Sequence, residues 1–383
     1  MDSAVFYWEK KKNRRWIWRW ELILDGKTGE ISMRIQKIVD LKGGEILAKT
    51  VMTPDYKILL SEGTKLRKDY IEKLGELGIR EVFVEDEIST HEVKILKDET
   101  GKNFKDKVKE IIEKHTYRHS DELVELSKTA DNIISNLLEE EEVIERIYDI
   151  KERSSDIYEH SINICTLAIL MGLKMKIPQS RIHDIGVGCL LHDLGLRYIT
   201  VDYTNKDMQE FSEMELAEYK KHPIYGYSAL KNETWISELS KDIILYHHEN
   251  MDGTGYPLKS IYVPLEVKIV NICEQFDEMI CGIGHQRLKV FEAIQYLKKN
   301  KDILFDGDIV DVLLEFTAVY PAGSYVLTNE GEIGIVLRQN KNNPDRPFIK
   351  IIYDKKGDRI QHDFVKDLLT DKSVFIEKVI ENI

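Results

Sequence analysis

The chain reads as mainly α, a long all-helical core flanked by a small N-terminal α+β module and a small β-rich C-terminal appendage. Three observations predict this. Apolar residues recur at helical spacing from Ser154 to about Glu315, broken by Pro178, Pro223, the turn from Gly253 to Pro257, and Pro264. Short strand-like runs bounded by turn residues appear before about residue 90 and again after Pro321. The length of 383 residues suits two to three domains of roughly 100 to 200 residues each.

Taken in order, residues 1–32 stand apart. Lys10, Lys11, Lys12, Arg14, Arg15 and Arg19 interleave with Trp16, Trp18 and Trp20 without helical or strand periodicity, and the segment is expected to be a disordered leader or sequence ahead of a start at Met33. Its alternative is a basic aromatic patch for a membrane surface or single-stranded nucleic acid. Residues 33–90 give the α+β module. Gly43-Gly44 precedes a β-like run from Ile46 to Val51, Pro54-Asp55 makes a turn before Ile58-Leu59-Leu60, a helix carries Tyr70, Ile71, Leu74 and Leu77, and residues 81–85 alternate as a closing strand.

Residues 91–150 are charged and helical in pattern, with Ile111, Ile112, Leu126, Ile133, Ile134 and Leu137 as the apolar stripe, and read as a helical connector. The acidic run from Glu139 to Glu142 reads as a solvated helix face, because adjacent helical positions point in different directions. Residues 151–320 form the helical core. Residues 321–383 switch to strands at Tyr325 to Leu327, Ile333 to Leu337 and Phe348 to Tyr353, with turns at Glu330-Gly331 and Asn343-Pro344.

With 42% hydrophobic and 32% charged residues, the composition is that of a folded protein, neither disordered nor membrane-embedded. No run approaches the roughly 18 apolar residues of a spanning helix and no signal-peptide pattern is present, so a cytoplasmic location without membrane insertion is expected. Cys165, Cys189, Cys273 and Cys281 sit singly in apolar stretches and read as reduced core thiols. The net charge, 55 − 68 = −13, disfavours nucleic acid polymers, and a phosphate-bearing substrate would need a local positive site that bound metal ions could supply.

Histidine carries the sharpest chemical signal. Of eleven in the chain, seven lie between His160 and His285. Imidazoles with carboxylates suit divalent transition metals, and one carboxylate can bridge two ions through its two oxygens. Asp193, next to His192 near a predicted helix end and two residues before Gly195, is the bridging candidate. His247-His248 needs a helix terminus to converge on one ion, and Asp252-Gly-Thr-Gly-Tyr-Pro257 supplies that termination.

The set His160, His192-Asp193-x-Gly195, His222-Pro223 and His247-His248-Glu249-x-x-Asp252-Gly253-x-Gly255-Tyr256-Pro257 resembles the HD-GYP branch of the HD superfamily of metal-dependent phosphohydrolases, over about residues 150 to 325. The module after Met33 also resembles one found ahead of such domains. The resemblance implies an all-helical domain with two divalent ions, iron or manganese, that hydrolyses cyclic diguanylate to the linear dinucleotide, the mononucleotide or both. It implies one ion at His160, His192, Asp193 and Glu274, and another at Asp193, His222, His247 and His248, activating a bridging water as hydroxide. Tyr256 and the glycine turn would shape the pocket rim and a surface for signalling protein partners.

Three positions depart from the family pattern. Leu196 stands where the family has lysine, with Arg197 next door but expected to aim elsewhere. The family's Ala-Asp-x-x-Asp-Ala becomes Cys273-Glu274-Gln275-Phe276-Asp277-Glu278, which keeps a carboxylate at Glu274 on a longer arm. Its Arg-Pro-Tyr run is replaced around Gly282 to Arg287, leaving only Arg287 near register. Asp156, four residues before His160 on the same helix face, is a candidate ligand for a third ion, a solvated carboxylate being the simpler reading. The alternatives to cyclic diguanylate are hydrolysis of another nucleotide, or a catalytically weak module that binds a nucleotide or a partner protein.

Overall fold

The computed structural model describes residues 4–10, 16–22, 33–52, 58–85, 92–118, 121–140, 143–341, 343–360 and 364–380. The expected turn at Pro54-Asp55 lies outside them, as does most of the charged run after Glu140. The chain divides into two units, Met1–Ser89 and Thr90–Ile383.

In the first unit, β1 (Ala4–Lys10) pairs antiparallel with β2 (Trp16–Leu22). Here the backbone departs from the expectation of no regular structure, because aromatic and β-branched residues favour extended pairing even where apolar alternation is hidden by interleaved lysines and arginines. Then come β3 (Met33–Lys37), β4 (Val51–Met52), β5 (Ile58–Leu60), α1 (Lys68–Glu76) and β6 (Glu81–Glu85), with β3 against β6 and β4 against β5. Leu47, Leu66, Leu74, Val82 and Val84 close its core.

The second unit begins with α2 (Asp98–Arg118) and α3 (Glu125–Leu138). The stretch expected as a connector packs into the helical body. Leu126, Ala130, Ile133 and Leu137 on α3 are fully buried. The helices α4 (Ile157–Lys174), α5 (Gln179–Leu191), α6 (Glu213–Tyr219), α7 (His222–Leu230), α8 (Glu238–Tyr246), α9 (Leu265–Cys281), α10 (Val290–Lys299) and α11 (Gly307–Phe316) follow. Both α4 and α9 are buried nearly all round, as expected of helices at the centre of a bundle. Each carries polar side chains at its buried contact with the other, and those polar positions mark the site.

The chain closes with β7 (Tyr325–Thr328), β8 (Ile333–Asn340), β9 (Asn343–Tyr353), β10 (Val365–Asp367) and β11 (Ile376–Ile380), an antiparallel sheet in the order β10-β9-β8-β7-β11. Asn343-Pro344, expected as a turn, opens β9; Pro344 has no N–H to donate but accepts from Val319 N at 3.1 Å. Buried Asp149 ties this sheet to the helices. Its carboxylate accepts from Val93 N at 2.9 Å, Ala322 N at 2.7 Å and Gln339 Nε2 at 2.8 Å. The four cysteines are buried free thiols.

Candidate metal centre

Five helix termini and faces deliver the donor atoms. His160 lies in the first turn of α4, where Asp156 caps the helix by accepting from Tyr158 N and Glu159 N. His192 ends α5 and Asp193 enters the 3-10 turn that follows. His222 opens α7, with Pro223 next to it in the first turn, and His247-His248 come directly after α8. Glu274 projects from the middle of α9.

Gly195 makes this convergence feasible. A Cβ at that position would lie 1.8 Å from the His222 carbonyl oxygen, so only glycine lets the turn after His192 press against the start of α7. At Gly255 a Cβ would fall 2.4 Å from Asn250 N, and the loop after His248 depends on its absence in the same way.

Asp193 sits between two pairs of imidazoles. Its Oδ2 lies 3.3 Å from His192 Nε2 and 3.7 Å from His160 Nε2. Its Oδ1 lies 3.3 Å from His222 Nε2 and 3.9 Å from His247 Nε2. Glu274 spans the first pair, with Oε1 3.1 Å from His160 Nε2 and Oε2 3.1 Å from His192 Nε2. Every one of these side chains is essentially solvent-free. Among the described residues four overlapping donor groups result: His160, His192, Asp193 and Glu274; His222, His247 and His248; His160, Asp277 and Cys281; and His248, Glu274 and Glu278.

The ring orientations are set from behind. His192 Nδ1 donates to Cys189 O at 2.7 Å, His222 Nδ1 to Tyr219 O at 2.8 Å and His247 Nδ1 to Ile244 O at 3.0 Å. A carbonyl can only accept, so each Nδ1 carries a proton and each Nε2 faces inward. His160 Nδ1 faces Asp277 Oδ2 at 2.9 Å, which Arg153 holds through the other oxygen at 2.9 Å.

Charge separates the first two groups. Burial works against protonating His160 and His192, but neighbouring Glu274, with Asp277 at His160 and Asp193 at His192, outweighs it, holding His160 well above the usual imidazole value and His192 at about 10. Burial also opposes the carboxylates, yet His192 and His222 pull Asp193 down, and His160 and His192 pull Glu274 down. On the other side burial lowers His222 and His248, and takes His247 to about 3.

The donor set fits divalent cations by chemistry and by its loose ends. His248 Nε2 is buried without a hydrogen-bond partner among the described residues, and His192 Nε2, Asp193 Oδ2 and Glu274 Oε2 meet only one another, at 3.1 to 3.3 Å. Such orphans are costly unless something binds there, and imidazole nitrogens with carboxylate oxygens are what first-row divalent metals take.

The remaining expected residues do other things. Asp156 is in none of the donor groups among the described residues; its Oδ1 accepts at the helix cap and its Oδ2 lies 3.5 Å from Lys105 Nζ. Glu249 accepts from Leu258 N at 2.7 Å and Ser260 N at 2.9 Å, which pins the loop beyond Pro257. Asp252 folds back on Thr254 within the exposed turn that Gly253 completes. Tyr256 stacks on His248, ring centroids 4.4 Å apart. Arg287 gives a guanidinium N–H to Cys281 O at 3.2 Å.

Residues 142–309 match the family described as HD domain, and residues 325–383 match a KOW domain associated with HD domain. Cyclic di-GMP phosphodiesterase PA4108 of Pseudomonas aeruginosa is 25% identical over 234 residues, 60% of this chain and 56% of that protein. Cyclic di-GMP phosphodiesterase PdeB of Borreliella burgdorferi is 27% identical over 199 residues, 50% of this chain and 51% of that protein. Cyclic di-GMP phosphodiesterase response regulator RpfG of Xanthomonas campestris is 29% identical over 152 residues, 39% of this chain and 40% of that protein. Residues 142–309 carry an HD domain, and the likeness to these relatives supports the HD-GYP type. It spans about half the length of the curated relatives it matches.

Within this domain two of the positions that depart from the family pattern, or neighbour one that does, have visible surroundings. Leu196 is 4% exposed, in the core. Arg197 reaches away to Glu113 Oε2 at 3.0 Å, and Tyr158 donates to the other oxygen of the same carboxylate. Sequence reading passed over three residues, Asp277, Glu278 and Tyr219, that the fold brings to the centre. The signal for the first two was present: Glu274, Asp277 and Glu278 at i, i+3 and i+4 share one face of an otherwise apolar helix. Among the described residues no helix is long and apolar enough to cross a membrane.

Proposed function

We propose that residues 151–320 hydrolyse a phosphodiester bond of cyclic di-GMP with the help of two divalent cations, iron or manganese. His160, His192, Asp193 and Glu274 would hold one, and Asp193, His222, His247 and His248 the other. The observation that carries this reading is Asp193, whose two oxygens each address a different pair of Nε2 atoms. When bound, such a pair supplies positive charge to the phosphate oxygens and acidifies water at the site.

The protein's own contribution is placement. Backbone carbonyls of Cys189, Tyr219 and Ile244 fix three imidazoles, and Asp277 fixes the fourth, so that ion binding costs little reorganisation. Glu249 and Gly255 hold the loop that stacks Tyr256 on His248, forming one wall of the site. A second reading, hydrolysis of a different nucleotide by the same chemistry, is favoured by the substrate side, where Leu196 replaces a cation and Arg197 is turned to Glu113.

The test is turnover of cyclic di-GMP by the full chain, purified without oxygen and loaded separately with iron and manganese, with metal counted in the same samples. About two ions with turnover is the expected result. Two ions without turnover on cyclic di-GMP but with turnover on another cyclic dinucleotide supports the second reading, and absence of metal overturns both.

A further inference from the structure

We propose that Glu278 is an additional metal ligand, serving the ion at His222, His247 and His248; this rests on the two-ion reading above. Glu278 stands where the pattern that the sequence resembles has alanine.

Glu278 follows Glu274 by one helical turn on α9 and is fully buried. Tyr219 donates to its Oε1 at 3.2 Å and Gln275 Nε2 donates to its Oε2 at 3.1 Å. These neutral donors orient the carboxyl group and bring no cation to it. Among the described residues the only group within ion-pair distance is His248 Nε2, 3.9 Å from Oε1. That nitrogen is itself buried and has no hydrogen-bond partner among the described residues.

Glu278 can ionise at this depth only with a cation beside it, and a buried imidazole nitrogen with nothing to bind is costly. One divalent ion near both relieves both. His248 belongs both to the donor group with His222 and His247 and to the group with Glu274 and Glu278, so Glu278 meets the second ion on its His248 side while Glu274 spans His160 and His192. Tyr219 then does two jobs, since its carbonyl fixes His222 and its hydroxyl fixes Glu278. An added carboxylate oxygen also makes this position harder, favouring manganese over softer ions.

The competing account is a structural glutamate, held by Tyr219 and Gln275 and indifferent to metal. The experiment titrates Mn²⁺ into metal-stripped full-length protein and counts bound ions for the wild type, Glu278→Gln and Glu278→Ala, with melting curves to verify folding. Glu278→Gln keeps the size and an acceptor; Glu278→Ala restores the family residue. The expected result is about two ions in the wild type and loss of affinity for one of them by at least about 10-fold in both variants, the other ion being retained. Two ions bound with unchanged affinity in a folded Glu278→Gln protein would overturn the role of Glu278 and leave the two-ion centre standing. A wild type that binds no Mn²⁺ would overturn both. If Glu278→Ala fails to fold, Glu278→Gln alone decides.

Discussion

His222 and His247 present their Nε2 atoms to each other across 3.2 Å, with each Nδ1 already donated to a backbone carbonyl. Two lone pairs at that distance repel unless a proton or a cation lies between them. Burial lowers both imidazole pKa values, His247 to about 3, so a proton is a poor solution at neutral pH. The arrangement is therefore preorganised for a cation, and Asp193 Oδ1, 3.3 Å from His222, supplies the compensating negative charge.

Removing that carboxylate should disrupt both positions at once. Asp193→Asn keeps the volume but loses the charge shared by the two imidazole pairs. We expect metal affinity to fall by more than about 100-fold, beyond what is typical for groups that only orient a ligand. Metal counting after dialysis and turnover by the same samples would check this. An Asp193→Asn protein that retains two ions would show that the carboxylate does not bridge.

Asp277 should behave as a positioning residue. It holds His160 Nδ1 and is itself held by Arg153, so Asp277→Asn weakens the orientation of one imidazole without removing a donor from the cluster. An affinity loss of about 10- to 100-fold for a single ion is expected, measured by calorimetric titration. Loss of both ions would contradict this local role.

Gly195→Ala tests the packing that brings His192 and Asp193 to His222. The new Cβ would meet the His222 carbonyl oxygen at 1.8 Å and Gly226 N at 2.9 Å, which no rotamer change relieves. Destabilisation of about 3 kcal/mol or more is expected in a urea melt, accompanied by weaker metal binding. A variant as stable as the wild type would mean that the turn can shift without cost.

Metal binding should be strongly pH-dependent. In the metal-free protein His160 and His192 hold protons that an ion must displace, so apparent affinity falls as pH is lowered, and binding releases protons into the buffer. Calorimetry in buffers of different ionisation enthalpy measures that release. Stability of the metal-free protein follows the same groups. His192 is raised to about 10, so its contribution is complete below the unfolded value near 6.5 and is lost as pH rises through about 10. Asp193 and Glu274 are depressed, so theirs is present above the unfolded carboxylate value and is lost as pH falls through the folded one. Melting curves between pH 6.5 and 10 with chelator should therefore decline toward the alkaline end; a flat profile would contradict the His192 assignment.

Much of this protein was determined by its sequence alone, because the deciding physics is local. Helical periodicity from Ser154 onward, the breaks at Pro178, Pro223 and Pro264, and the strands beginning at Tyr325 and Ile333 follow from spacing and turn chemistry. The histidines and Asp193 stood out by residue type, and the fold gathers His160, His192, His222, His247 and His248 around Asp193, while His183 pairs with Asp131. Strands β10 and β11 were not legible, being short, with Val365 and much of Ile376–Ile380 half-exposed or exposed, so little apolar alternation marks them. Only tertiary structure decided how the side chains are used. Asp156 shares a helix face with His160 but is consumed by the cap and Lys105; Arg197 turns to Glu113; Glu278, one turn beyond Glu274, faces His248 and Tyr219. Spacing along a helix says which residues share a face, while the neighbour that face meets depends on residues 30 to 120 positions away, a distance across which sequence periodicity carries no information.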